Sequence, residues 1–205
     1  MIFLNFKNYP QTTDQNAIKL CRLIKKISST TSVKIIPCLQ ASDLYQANQA
    51  VSIDLWTQHV DPIKLNKYKK DGAAGTLLNH SQHPVDLAVI KKTLKLCHQE
   101  KLQVMVITDT IELIKQVTIL NPDYIGFEDP KLIGGPIPMI EAHPDLIKQA
   151  IAASHHPLII GGGMRTAAHV NQAITLGAAG VLVASEFAKS SNPQATLKNL
   201  ISGFK

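Results

Sequence analysis

Gln103-Val104-Met105-Val106-Ile107-Thr108, then Ile111–Leu120, then Tyr124-Ile125-Gly126-Phe127 make one strand–helix–strand unit. The two flanking runs are nearly unbroken apolar stretches rather than alternating ones. That is the pattern of strands buried on both faces in a parallel sheet. Working outward, the same kind of run recurs at Ala74–Leu78, Ile53–Gln58, Val33–Pro37 and Ile2–Phe6 on one side. On the other it recurs at Leu158–Ile160 and Val181–Ala184. Helical patterns fall between. Asp14–Lys26 carries a stripe of Ile18, Leu20, Leu23, Ile24 and Ile27, and Asp86–Lys101 one of Leu87, Ile90, Leu94 and Cys97. Leu146–Ala153 and Ala167–Leu176 follow, the last closed by Gly177 as a C-cap. Eight such runs alternating with helices in 205 residues predict an α/β chain folded as a single (β/α)8 barrel, residues 1–205, near the lower size limit. A doubly wound open sheet is the competing architecture, and no GxGxxG follows the first strand to support it.

Composition narrows the function. Hydrophobic residues are 45% and charged residues 18%, ordinary for a soluble globular chain. The longest apolar runs, such as Pro157 to Ile160, are far too short to span a membrane, and Met1-Ile2-Phe3-Leu4-Asn5 lacks a basic leader. Cys21, Cys38 and Cys97 are odd in number and widely spaced, which reads as reduced core thiols of a cytoplasmic protein. No metal is expected: His80 and His83 lack a carboxylate at ligand spacing, and His155-His156 sits in a turn. The net charge of +6 is scattered over short clusters, Lys25-Lys26 and Lys67, Lys69 and Lys70. With only 5% aromatic residues there is no base-stacking platform, so nucleic acid is not the expected partner. A positive field that draws in a small anionic substrate accounts for the charge as well.

In a barrel, active groups belong at the carboxyl ends of the strands. The first strand ends in Asn5-Phe6-Lys7, whose two polar side chains, spaced by two, point the same way; Lys7 either caps the strand in solvent or faces the mouth. The fourth ends in Leu78-Asn79-His80-Ser81. His80 is either a satisfied core residue or a neutral ring held near a helix amino terminus. The sixth ends in Phe127-Glu128-Asp129-Pro130, and a glutamate there is a general base or the partner of a lysine. Pro130 to Pro136, with Gly134-Gly135 inside, is shaped like a hinged lid. Gly161-Gly162-Gly163 and Ala184-Ser185 close the last two strands, where small residues form either tight turns or the phosphate site usual for this architecture.

The order of Asn5-Phe6-Lys7, Gln58-His59-Val60-Asp61, Gly75-Thr76-Leu77-Leu78-Asn79-His80-Ser81, Glu128-Asp129-Pro130…Ile133-Gly134 and Gly161-Gly162-Gly163 resembles triosephosphate isomerase over nearly the whole chain, in its short archaeal-type branch. The resemblance implies cofactor-free interconversion of dihydroxyacetone phosphate and glyceraldehyde 3-phosphate through an enediolate. It implies Glu128 as the base, neutral His80 as the electrophile and proton shuttle, and Lys7 as the balancing charge with Asn5 in support. This family is itself the worked case of a glutamate base beside a neutral histidine. Gly134, Gly162, Gly163, Ala184 and Ser185 would bind the phosphate.

Four departures from the family pattern stand out. Gln82 replaces a glutamate, removing a partner for Lys7. The lid reads Gly134-Gly135-Pro136 where the family has glycine-threonine-glycine, so an N–H is lost. Glu186 stands where a small residue is usual beside the phosphate. Only Pro62 to Asp71 separate Asp61 from Gly72, so the long third loop that enters a neighbouring subunit is missing. The expectation is a monomer or a dimer built through another surface. The alternative function is a weakened barrel kept as a phosphate-ligand binder or scaffold. A phosphoribosyl isomerase or an aldolase fits less well: Asp109 suits the former but Lys7 does not, and no lysine ends the sixth strand for the latter.

Overall fold

The computed structural model describes residues 1–205. Eight parallel strands close in sequence order: β1 (Ile2–Asn5), β2 (Ile35–Leu39), β3 (Leu55–Thr57), β4 (Ala73–Leu78), β5 (Gln103–Thr108), β6 (Tyr124–Phe127), β7 (Leu158–Ile160) and β8 (Gly180–Val183). Closure is made by β8 pairing back on β1, with Leu4 opposite Val183. The helices are α1 (Asp14–Ser28), α2 (Ala41–Ala50), α3 (Leu65–Lys70), α4 (Leu87–Gln99), α5 (Ile111–Thr118), α6 (Met139–Ala142), α7 (Pro144–Ala153), α8 (Ala167–Thr175), α9 (Ser185–Ala188) and α10 (Pro193–Ser202). The (β/α)8 barrel is therefore the architecture, and the open sheet is not.

The unbroken apolar strands have a direct cause. Successive side chains point to opposite faces, and both faces are covered. Ile2, Leu4 and Phe6 pack outward into the large cluster shared with the helices. Phe3 joins a second cluster with Ile36, Cys38, Trp56, Leu77, Met105, Ile107, Ile159 and Leu182, residues of different strands that meet only in the lumen. Phe3, Trp56 and Tyr124 form its aromatic floor, with ring centroids 5.0 to 5.9 Å apart. The barrel is plugged below and open to chemistry only at its carboxyl end.

Several expected boundaries move. Val33-Lys34 and Ile53-Asp54 lie ahead of β2 and β3. In α1 the buried face is Ala17, Ile18, Cys21, Ile24 and Ile27, while Leu20 and Leu23 are its half-buried flanks. Leu87 is 37% exposed and outside the stripe of α4, because Asp86 caps that helix by accepting from the Val89 N–H at 2.8 Å. Gly177 does end α8, with φ +104°. Helices α2, α3, α6, α9 and α10 carry too few apolar positions to announce themselves; α2 buries only Asp43, Leu44 and Ala47. The third connection is a 3-10 turn, Pro62–Lys64, running straight into α3. Cys21, Cys38 and Cys97 are free and buried, and burial pushes the Cys21 and Cys97 thiols up to about 12.

Candidate active site

Glu128 follows β6 directly. The two-residue period that sends Ile125 and Phe127 into the outer shell turns Gly126 and Glu128 to the lumen. The residue is 7% exposed. Oε1 accepts from the Gly162 N–H at 3.1 Å, while Oε2 has no hydrogen-bond partner and lies 3.7 Å from His80 Nε2. Gly161 makes room for this pose: a Cβ there would come within 2.6 Å of both Cγ and Cδ of Glu128. Burial raises the Glu128 pKa; the Lys7 charge and the Gly162 N–H pull against it without cancelling it.

His80 reaches the mouth through Asn79, which sits in the left-handed region at φ +61°. Asn79 is tied on both sides, donating to the Ile107 carbonyl at 2.9 Å and accepting from the Val85 N–H at 2.9 Å. His80 Nδ1 accepts from the Gln82 N–H at 3.2 Å. The ring proton therefore resides on Nε2, the nitrogen facing Glu128. Burial first, then the charges of Lys7 and His83, hold the imidazole pKa down at about 4. The expected helix amino terminus is not the cause, since α4 does not begin until Leu87. The turn N–H that fixes the tautomer comes from the backbone of Gln82, whose residue is otherwise exposed. His83 also stacks on His59, with centroids 3.9 Å apart.

Lys7 is not in a strand. β1 stops at Asn5, and Lys7 takes φ +51°, pinned by its N–H donating to Asn5 Oδ1 at 3.0 Å and by Gln58 Nε2 donating to its carbonyl at 3.3 Å. A left-handed lysine stores strain that the surroundings must hold in place. The residue is 6% exposed; burial lowers its pKa, Glu128 opposes the shift and Lys189 adds to it. The solvent-cap reading of Lys7 is thereby excluded.

All nine expected site residues, Asn5, Lys7, His80, Glu128, Gly134, Gly162, Gly163, Ala184 and Ser185, line one cavity of about 180 Å³. That is smaller than the roughly 300–1,000 Å³ of drug-sized pockets and suits a ligand of few heavy atoms. Among the glycines expected at the phosphate site, Gly162 is the one whose N–H is already engaged, donating to Glu128 Oε1. The N–H groups of Gly134, Gly163, Ala184 and Ser185 have no partner within the chain. Gly134 and Gly163, at φ +75° and +88°, hold backbone turns that other residues resist. The sequence reading missed Arg165, Lys189 and Tyr9, which line the same cavity. Lys189 Nζ lies 4.3 Å from the Tyr9 ring centroid. The rule that phosphate sits after the last two strands could have found both cations, since each follows one of those loops. Glu186 lines the same cavity.

A closed parallel barrel with a buried carboxylate and a neutral imidazole facing each other at its carboxyl mouth defines the class, a (β/α)8-barrel enzyme. Solved folds agree: a tryptophan synthase alpha-subunit mutant of Pyrococcus furiosus (TM-score 0.74, 14% identity, 98% of this chain and 96% of that one) and the N-acetylmannosamine-6-phosphate 2-epimerase of Clostridium perfringens (TM-score 0.69, 13% identity, 97% and 91%) share the architecture. A family model described as thiazole biosynthesis protein ThiG matches residues 134–203 only. Sequence similarity runs the full length with proteins named triosephosphate isomerase. The one from Methanobrevibacter smithii is 30% identical over 98% of this chain and 97% of its own. Those from Methanothermus fervidus and Saccharolobus solfataricus are each 33% identical, over 98% of this chain and 97% and 94% of theirs. The chain belongs to the triosephosphate isomerase family. No helix is long and apolar enough to cross a membrane.

Proposed function

We propose that the chain interconverts dihydroxyacetone phosphate and glyceraldehyde 3-phosphate, with Glu128, His80 and Lys7 doing the chemistry. One observation carries the assignment of roles. Glu128 Oε2 is buried, free of hydrogen bonds and 3.7 Å from the protonated Nε2 of a neutral histidine. A carboxylate with one oxygen anchored and the other bare is a positioned base. Oε2 takes the proton from one substrate carbon as the electron pair moves to the carbonyl oxygen. His80 Nε2–H donates to that oxygen, and the Lys7 ammonium stabilises the enediolate charge in a site where burial strengthens it. His80 then moves a proton between the two oxygens, and Glu128 returns its proton to the adjacent carbon. A raised Glu128 pKa helps here, because a stronger base abstracts a carbon-bound proton more readily.

The phosphate would lie against the unpartnered N–H groups of Gly134, Gly163, Ala184 and Ser185, with Arg165 and Lys189 supplying charge. No cofactor or metal is needed for these steps. The short third connection, folded into its own barrel as Pro62–Lys64 and α3, supports a chain that is monomeric or that pairs through another surface. A sedimentation result showing exchange of the third loop between subunits would exclude this. The free buried thiols suit a reducing, cytoplasmic setting.

The test is isomerisation of glyceraldehyde 3-phosphate in a coupled assay, with Glu128→Gln as control. Loss of a general base predicts a drop of about 10²- to 10⁴-fold in kcat. A wild-type protein that binds 2-phosphoglycolate but turns over no faster than the variant would instead be a phosphate-binding barrel without chemistry. The Glu186 carboxylate in the phosphate wall is the feature that favours this second reading.

A further inference from the structure

The segment from Asp129 to Pro138 crosses the cavity between β6 and α6, and Gly134 lines the cavity from it. Its link to the neighbouring loop of the mouth is Arg165, which follows β7. Arg165 Nη1 donates to the Pro136 carbonyl at 3.2 Å, and Nη2 donates to the Gly135 carbonyl. Pro136 has no N–H to offer, so the tip of this lid presents carbonyls. A guanidinium is the side chain whose fork takes two adjacent acceptors at once. The backbone of Arg165 is fixed as well. Its N–H donates to His169 Nδ1 at 3.2 Å, and His169 Nε2 lies 2.8 Å from Glu141 Oε1. His169 belongs to α8 and Glu141 to α6, the helix that immediately follows the lid. Arg165 is thus joined to the lid twice, by its side chain to the tip and through His169 to the trailing helix.

We propose that Arg165 is the latch of this lid: it holds the Gly135-Pro136 tip against the loop after β7, and so holds the Gly134 N–H over the cavity. Arg165 also lines that cavity, so one guanidinium spans lid and ligand, and closing the lid and binding an anion support each other. Arg165 holds the lid and the ligand's anion in place and takes no part in the proton transfers. The ligand half of this proposal rests on the reading that the cavity takes a phosphorylated substrate; the latch itself does not.

Lys131, exposed within the lid, provides the measurement. Tryptic cleavage after Lys131, followed by mass spectrometry without ligand, reports how often the lid opens. Arg165→Met should speed that cleavage by at least about tenfold, the worth of one of the two charged-donor hydrogen bonds it removes. KM for glyceraldehyde 3-phosphate and Ki for 2-phosphoglycolate should rise by a similar factor, with kcat changing less. Arg165→Lys keeps the charge and one donor, and should fall between the two in both readouts. Unchanged cleavage and KM in Arg165→Met overturn the latch, even if its Tm falls, for that is packing alone. Full recovery of KM in Arg165→Lys with the lid still cleaved at the Arg165→Met rate also overturns it, in favour of plain charge. A wild-type protein without isomerase activity whose Lys131 cleavage still depends on Arg165 would retain the latch and reject the proposed function.

Discussion

Replacing Gly161 by alanine should separate activity from stability in this protein. Gly161 is outside the left-handed region, so an alanine there meets no backbone strain. The obstacle is a side chain: the added Cβ would come within 2.6 Å of Cγ and Cδ of Glu128 and closer still to Oε1. Ordinary van der Waals separation is about 3.5 Å, so the carboxylate must retreat by roughly 1 Å. It is the free end of a flexible side chain, and moving it means giving up the Gly162 N–H at 3.1 Å. The stability cost is that one hydrogen bond, about 1–3 kcal/mol for a charged acceptor, partly offset by the lower chain entropy of alanine when unfolded. Catalysis suffers more, because a base displaced by about 1 Å costs on the order of 10²-fold. The coupled isomerase assay and a thermal melt on the same preparation decide the matter. A variant that melts within a few degrees of wild type with kcat down about 10²-fold is the expected result. A kcat within twofold of wild type would refute the argument that Gly161 exists to seat Glu128.

Three further outcomes follow from the charges around the site. Lys7→Met removes the nearby cation that draws the Glu128 pKa down, so the acid limb of the kcat/KM profile should move to higher pH; an unmoved limb would show that Lys7 does not feel Glu128. The His80 pKa is about 4 in the fold against an ordinary 6.5, so the folded ring stays neutral while the unfolded one takes up a proton. The stability this provides is complete above about pH 6.5 and lost as pH falls towards 4, about 3 kcal/mol in all. Urea midpoints of wild type and His80→Gln should therefore converge over that window, and parallel lines would contradict the shift. Glu186→Gln removes a half-exposed carboxylate from the phosphate wall and should tighten 2-phosphoglycolate two- to fivefold, the size of a solvent-screened charge pair, with weaker binding counting against a repulsive role.

Much of this was legible along the chain because the relevant signals are local. Gly126 and Glu128 share a face of β6 by the period of a strand, so the lumenal carboxylate follows from residue order alone. The same logic brings Asn5 to the mouth above Phe3. Helices with a strong apolar stripe, α1 and α4, were readable, whereas α2 and α10 were not, because a helix backed by neighbouring helices needs few apolar positions of its own. Positive φ at Lys7 and Asn79 was invisible in the same way, since tertiary hydrogen bonds from Gln58 and to Ile107 impose what local preference resists.

The sequence by itself determined the barrel, the family and the three side chains that meet at its mouth. It could do so because strand burial and strand-end position are properties of neighbouring residues. Only the tertiary structure decided that the His80 proton sits on Nε2, that the Gly162 N–H seats Glu128, and that Arg165 reaches the lid. The first turns on the backbone path of the loop after β4, which sets the Gln82 N–H against the His80 ring; the other two depend on atoms from the neighbouring loops after β6 and β7 meeting at the barrel mouth, a distance set by strand pairing and by no local pattern.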